Sequence, residues 1–132
     1  MRSKRNAVLL LVGGMIVLFA IGIAWRVLRP SPVDRTVREL PMYPGAREVD
    51  PSEAVAERYA QSNPSGEIRL FTYELPRAST SAEVFRYYRA HKPGSWRHVT
   101  DACYARGDVR VLLFSQRLRE LDVIVADNIR CP

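Results

Sequence analysis

Residues 7–25 of this 132-residue chain contain no charged side chain. That run limits what the chain can fold into more than any other feature. An α-helix rises about 1.5 Å per residue, so about 20 apolar residues cross a hydrocarbon core of about 30 Å. Carried on to residue 28, the run is interrupted only by Arg26, near its end. An arginine there extends its long stem toward the headgroups, and Trp25 suits the interfacial belt. Inside lipid every backbone polar group needs an internal partner, so a helix is the only single-segment solution. The sequence therefore predicts a transmembrane helix over 7–28, behind a cytoplasmic tail over 1–6.

A cleaved secretory signal peptide shares part of this pattern. It too begins with basic residues, and Ala20-Ile21-Gly22 or Gly22-Ile23-Ala24 resembles a small-residue cleavage site. However, the apolar run exceeds the usual 7–15 residues and continues through Trp25, Val27 and Leu28. No cysteine follows it directly, which excludes a lipoprotein signal. Orientation is less constrained, because Arg2, Lys4 and Arg5 precede the run while Arg26, Arg29, Arg35 and Arg38 follow it. Counting basic residues alone leaves both orientations open. The short, clustered basic start matches a signal-anchor, with the N-terminus inside and the rest of the chain extracytoplasmic. No ionisable residue lies at mid-membrane, which removes the usual basis for a proton or ion pathway.

The net charge of +6 is unevenly spread. Arg2, Lys4, Arg5, Arg26 and Arg29 meet no acid before Ser31, whereas the remainder carries 15 basic and 14 acidic residues. The charge thus belongs to the flanks of the apolar run. A nucleic-acid surface needs a basic patch on the folded domain, so none is expected.

Arg29-Pro30-Ser31-Pro32 should end the helix, because proline lacks a backbone donor and restrains the residue before it. Residues 29–40 read as a juxtamembrane linker and 41–132 as one small extracytoplasmic domain, the size a single core supports. Residues 53–60 are ambiguous between helix and strand. Residues 62–66 carry a turn signal. Residues 67–75 are β-rich, and Pro76 stops them. Thr80-Ser81-Ala82-Glu83 spells a capping box, opening a helix to His91 that buries Val84, Phe85 and Tyr88. Three strands should follow, over 96–105, 109–115 and 121–126, with connections short enough for antiparallel neighbours only. The expected class is α+β, in the order β-α-β-β-β, with one helix on an antiparallel sheet.

Tyr43-Pro44-Gly45-Ala46, the capped helix with Phe85 and Tyr87-Tyr88, and Gly94-Ser95-Trp96 together resemble a recurring pattern. It is similar to small exported bacterial domains with a "YPGA" opening, an "FY" helix and a "GW" turn. The resemblance spans about residues 41–126 and departs from the pattern at Ser95, which stands before Trp96. It implies fold and location, and it carries no catalytic residue to this chain.

Cys103 and Cys131 are the only cysteines. An even count in a small domain outside the cytoplasm predicts a disulfide, pinning the C-terminus to the sheet. The alternative is a pair of free thiols in a cytoplasmic domain. No Cys-x-x-Cys or matching His pair is present, so no metal site is expected. His91 falls in a last helical turn, and His98 falls in a strand with Asp101 close by. No hydrolase, phosphate-cradling or dinucleotide motif occurs, so neither catalytic residues nor a cofactor are expected. Clustering of His98 and Asp101 with an exposed nucleophile would reopen that question. A possible interaction surface comprises Tyr87, Tyr104, Arg106 and Arg110. Aromatic residues dominate interface hot spots, yet they more often serve the core or core edge of a helix-on-sheet fold. The expectation is a non-enzymatic, bilayer-anchored accessory protein of the bacterial envelope that binds another envelope protein. The alternative is a small-ligand or lipid-binding domain with a pocket between helix and sheet.

Overall fold

A computed structural model describes residues 2–62, 66–76, 79–117 and 119–132. Two compact units divide the chain, Met1–Ser31 and Pro32–Pro132. The first is a single helix, α1 (Arg2–Leu28), 27 residues and hence about 40 Å long. It is long and apolar enough to cross a membrane, and none of its apolar stretch is buried against protein. The helix takes in the basic residues Lys4 and Arg5, so the expected tail continues it as one rod.

The second unit is α+β. It contains α2 (Pro32–Arg38), β1 (Arg47–Val49), α3 (Glu53–Ser62), β2 (Ile68–Glu74), α4 (Ser81–His91), β3 (Arg97–Thr100), β4 (Cys103–Arg106), β5 (Val109–Arg117) and β6 (Glu120–Asp127). The strands form one antiparallel sheet in the order β1-β2-β6-β5-β4-β3.

Side chains alternate across a strand, so the sheet sorts its residues into two faces. One face presents Tyr73, Tyr104, Val111, Leu113, Leu121, Val123 and Val125, covered by Val33 of α2, Val84 and Tyr88 of α4, and Trp96. The other presents Cys103, Leu112, Ile124 and Ala126, covered by Tyr59 of α3 and by Ile129 and Cys131 of the C-terminal tail. The run Leu121–Ala126 is buried at every position because both faces are covered.

Several expectations need correction. The sheet has six strands rather than four. The stretch 96–105 is two strands, β3 and β4, reversed at Asp101-Ala102. That turn lacks the glycine or asparagine that marks a tight hairpin in a sequence. A short edge strand, β1, follows the Tyr43–Ala46 turn. Helices cover both faces instead of one, since the ambiguous segment forms α3. Residues 32–38, expected as linker, form α2, whose Val33 and Thr36 are fully buried. The turn expected over 62–66 lies partly outside the described residues.

Other expectations hold. Helix α4 carries the capping box: Thr80 Oγ1 accepts from Glu83 N at 3.2 Å, and Thr80 N donates to Glu83 Oε2 at 3.2 Å. The Tyr43-Pro44-Gly45-Ala46 segment closes a turn with Ala46 N donating to Tyr43 O at 3.0 Å. Gly45 sits at φ +77, and a Cβ there would meet Pro76 Cγ at 2.8 Å. Proline followed by a positive-φ glycine matches a type II turn, so backbone conformation and close approach both demand glycine.

Candidate functional site

The expected interaction surface does not exist as one face. Tyr104 is completely buried, its ring 6.2 Å from Trp96 and 5.6 Å from His98. Its hydroxyl is buried without a hydrogen-bond partner among the described residues. Desolvation raises its pKa, with Asp101 adding to the rise and Arg89 opposing it. Tyr87 is half-buried; its hydroxyl donates to Met42 O at 2.8 Å, and its ring meets Tyr43 edge-on and His91 face-on. Arg110 lies on the opposite face of the sheet, where its Nη1 donates to Gly107 O at 2.7 Å and braces the β4–β5 turn.

Arg106 belongs to a different cluster, built on Glu39 just after α2. Glu39 Oε2 accepts from Trp96 Nε1 at 3.0 Å and Ser95 Oγ at 3.1 Å, while Oε1 accepts from Arg106 Nη2 at 3.3 Å. Arg106 Nε lies 3.0 Å from Oε2 but out of line for a hydrogen bond, so attraction there is Coulombic. Desolvation pushes the Glu39 pKa up, but the bonds from Trp96 and Ser95 and the Arg106 charge outweigh it and hold it below the ordinary value. This cluster ties α2 to β3 and β4. It also gives Ser95, the departure from the recurring pattern, a defined partner.

Cys103 and Cys131 form a disulfide with Cα atoms 5.8 Å apart. His98 Nε2 and Asp101 Oδ1 lie 3.1 Å apart. Among the described residues no serine, threonine or cysteine bonds to His98, so the pair lacks an adjoining nucleophile.

One polar concavity was missed from sequence. The register aligns Val49 with Thr72 and Thr72 with Asp122, placing three residues in a row across β1, β2 and β6 on one face. Asp50, Ser52, Val55 and Glu120 complete a pocket of about 180 Å³. Asp122 is only 6% exposed and accepts a hydrogen bond from Thr72 Oγ1 at 2.8 Å. Ser52 opens α3, its Oγ accepting from Val55 N at 3.3 Å, so the positive end of the helix dipole adjoins the carboxylates. Burial, followed by the charge of Asp122, raises the pKa of Tyr59 nearby.

Three carboxylates and two hydroxyls can receive an amine or guanidinium group. The volume suits a side chain and falls short of the roughly 300 Å³ at which small-molecule sites begin. No three His, Cys, Asp or Glu side chains among the described residues are arranged to hold a metal ion. Asp122 carried the one available signal, a charge inside the otherwise apolar run Leu121–Ala126.

The space expected to hold a ligand, between α4 and the sheet, is filled by Tyr88, Trp96 and Tyr104. No protein-family model matches this sequence, and no curated protein or solved structure matches it.

Proposed function

We propose that this chain is a single-pass membrane protein of the bacterial envelope, with the N-terminus in the cytoplasm and the α+β unit outside. It acts as a non-enzymatic accessory protein, and its outer unit docks a protein partner through the acidic pocket. The observation that carries this reading is the contrast between the two units. One is an uncovered apolar rod, and the other has a filled core with a polar concavity lined by Asp50, Glu120 and Asp122. The disulfide supports an oxidising location. The "YPGA", "FY" and "GW" resemblance supports export.

A photoreactive residue at Ser52, on the pocket rim, tests the docking in membranes holding the full-length protein. The expected result is a discrete protein adduct that weakens when Asp50 and Glu120 are changed to Asn and Gln. Absence of any adduct, or an adduct indifferent to those changes, contradicts docking through the pocket. Alkaline extraction and external protease test the placement: the chain should stay with the membrane, and its outer unit should be reached from outside.

A further inference from the structure

The chain leaves β6 through Asn128, held at φ +56, and runs without regular structure to Pro132. Its side chains alternate, with Ile129 and Cys131 partly buried and Asn128, Arg130 and Pro132 exposed. Cys131 bonds to Cys103 on β4, and β5 lies between β4 and β6 in the sheet. Adjacent strands are about 4.8 Å apart, so the tail crosses about 10 Å of sheet to reach its partner. Its path covers the row that the register aligns, Cys103 with Leu112 and Leu112 with Ile124.

Little else holds this strap. Among the described residues no hydrogen bond joins residues 128–132 to the rest of the protein. Ile129 and Cys131 supply the apolar contact. The covalent bond removes the conformational freedom that would otherwise lift residues 128–132 off the sheet. The two cysteines also sit in unlike surroundings, because Cys103 is completely buried and Cys131 is partly exposed.

We propose that the Cys103–Cys131 bond is a reducible latch, opened at Cys131 by a dithiol oxidoreductase, and that opening frees the tail and uncovers Leu112, Ile124 and Ala126. A thiolate of the dithiol attacks Cys131 Sγ, the S–S bond breaks, and Cys103 leaves as a thiolate that takes a proton. The second thiol of the reductant then attacks the mixed disulfide, and Cys131 leaves and is protonated. Two electrons and two protons pass to the protein, and the reductant becomes a disulfide. Attack at Cys103 would require the nucleophile to enter beneath the strap, so the partly exposed residue, Cys131, is the one reached. The rest of the unit tolerates release, because the opposite face has its own cover in α2, α4 and Trp96.

Two measurements on the full-length protein in detergent test the latch. The first uses a thioredoxin-like dithiol protein whose resolving cysteine is changed to serine, so that the mixed disulfide is trapped. Peptide mapping should place the adduct on Cys131; an adduct on Cys103, or none, overturns the proposal. The second follows methyl resonances before and after reduction. The Ile129 methyl should move to its random-coil position and those of Leu112 and Ile124 should shift, while Val33 and Val84 stay in place. The Cys131→Ser variant should give the reduced spectrum without reductant. An unmoved Ile129 would mean that the tail does not release. Collapse of the Val33 and Val84 signals would make the bond a structural brace. Either result discards the latch.

Discussion

Glu39 shows how much one side chain can organise when three donors converge on it. Its carboxylate receives Trp96, Ser95 and Arg106, and its pKa lies below the ordinary 4.5. A folded-state value below the unfolded one means stability that is fully present above pH 4.5 and is lost as pH falls through the lower folded value. About a third of the side chain is exposed, so water and salt weaken the gain. Comparing the native chain with Glu39→Gln separates this group from the other carboxylates. The native chain should have the higher urea midpoint at neutral pH, with the gap closing below pH 4.5; a constant gap would remove the ionised carboxylate from the account. Tyr104 is the opposite case, a buried hydroxyl with no partner among the described residues. Leaving a polar group unsatisfied costs about 1–3 kcal/mol, and an apolar replacement of the same shape is close to neutral or better. Tyr104→Phe should therefore unfold at an equal or higher urea concentration, gaining up to about 1 kcal/mol. A loss larger than about 1 kcal/mol would show that the hydroxyl has a partner after all.

Helix α2 is the element that most changes the architecture, because it moves the start of the folded unit from residue 41 to Pro32. Val33 and Thr36 are fully buried and Val37 packs beside them, on the face of the sheet that α4 also covers. Removing the Val33 side chain takes away buried carbon and leaves a cavity, so Val33→Ala should cost about 2–3 kcal/mol. Arg35 on the solvent side is exposed, and Arg35→Ala should stay within about 0.5 kcal/mol. Equal effects in denaturant unfolding would mean that α2 does not pack on the core in solution. The spacing Val33, Thr36, Val37, Leu40 is visible in the sequence, but the prolines at 30 and 32 mask it, because they mark the end of the preceding helix. Signals confined to adjacent residues were legible: the capping box at Thr80 and Glu83, the proline stop after β2, and the uncharged run of α1. Pairings made by register were not. Glu120 and Asp122 are neighbours on one face of β6, but Asp50 and Thr72 join them only because β1, β2 and β6 bring distant positions together, which the lone charge of Asp122 does not announce. The division of 96–105 into β3 and β4 was hidden for a different reason, since Asp101-Ala102 turns without the usual turn residues.

At the scale of the whole molecule the proposed topology makes a prediction that involves both units, because the state of the cysteines reports where the second unit folded. Val17 and Leu18 lie near the middle of α1 and far from either basic flank. An arginine at the centre of a membrane helix costs about 2.5–3.5 kcal/mol on insertion, where the apolar residue it replaces contributes about −0.3 to −0.6 kcal/mol. Val17→Arg with Leu18→Arg therefore removes on the order of 6–8 kcal/mol of insertion free energy, enough to stop a single helix from entering the bilayer. On the proposed topology the second unit would then stay in the cytoplasm, where thiols are kept reduced. Alkylation in intact cells should find Cys103 and Cys131 blocked in the native chain, and free in the doubly substituted chain once it is denatured. The substitutions touch neither cysteine nor any residue of the second unit, so altered local chemistry at the disulfide cannot produce the change. If the doubly substituted chain left the membrane and still carried the disulfide, oxidation would not depend on crossing the bilayer. The bond would then cease to support an extracytoplasmic location, although the packing of the sheet would stand.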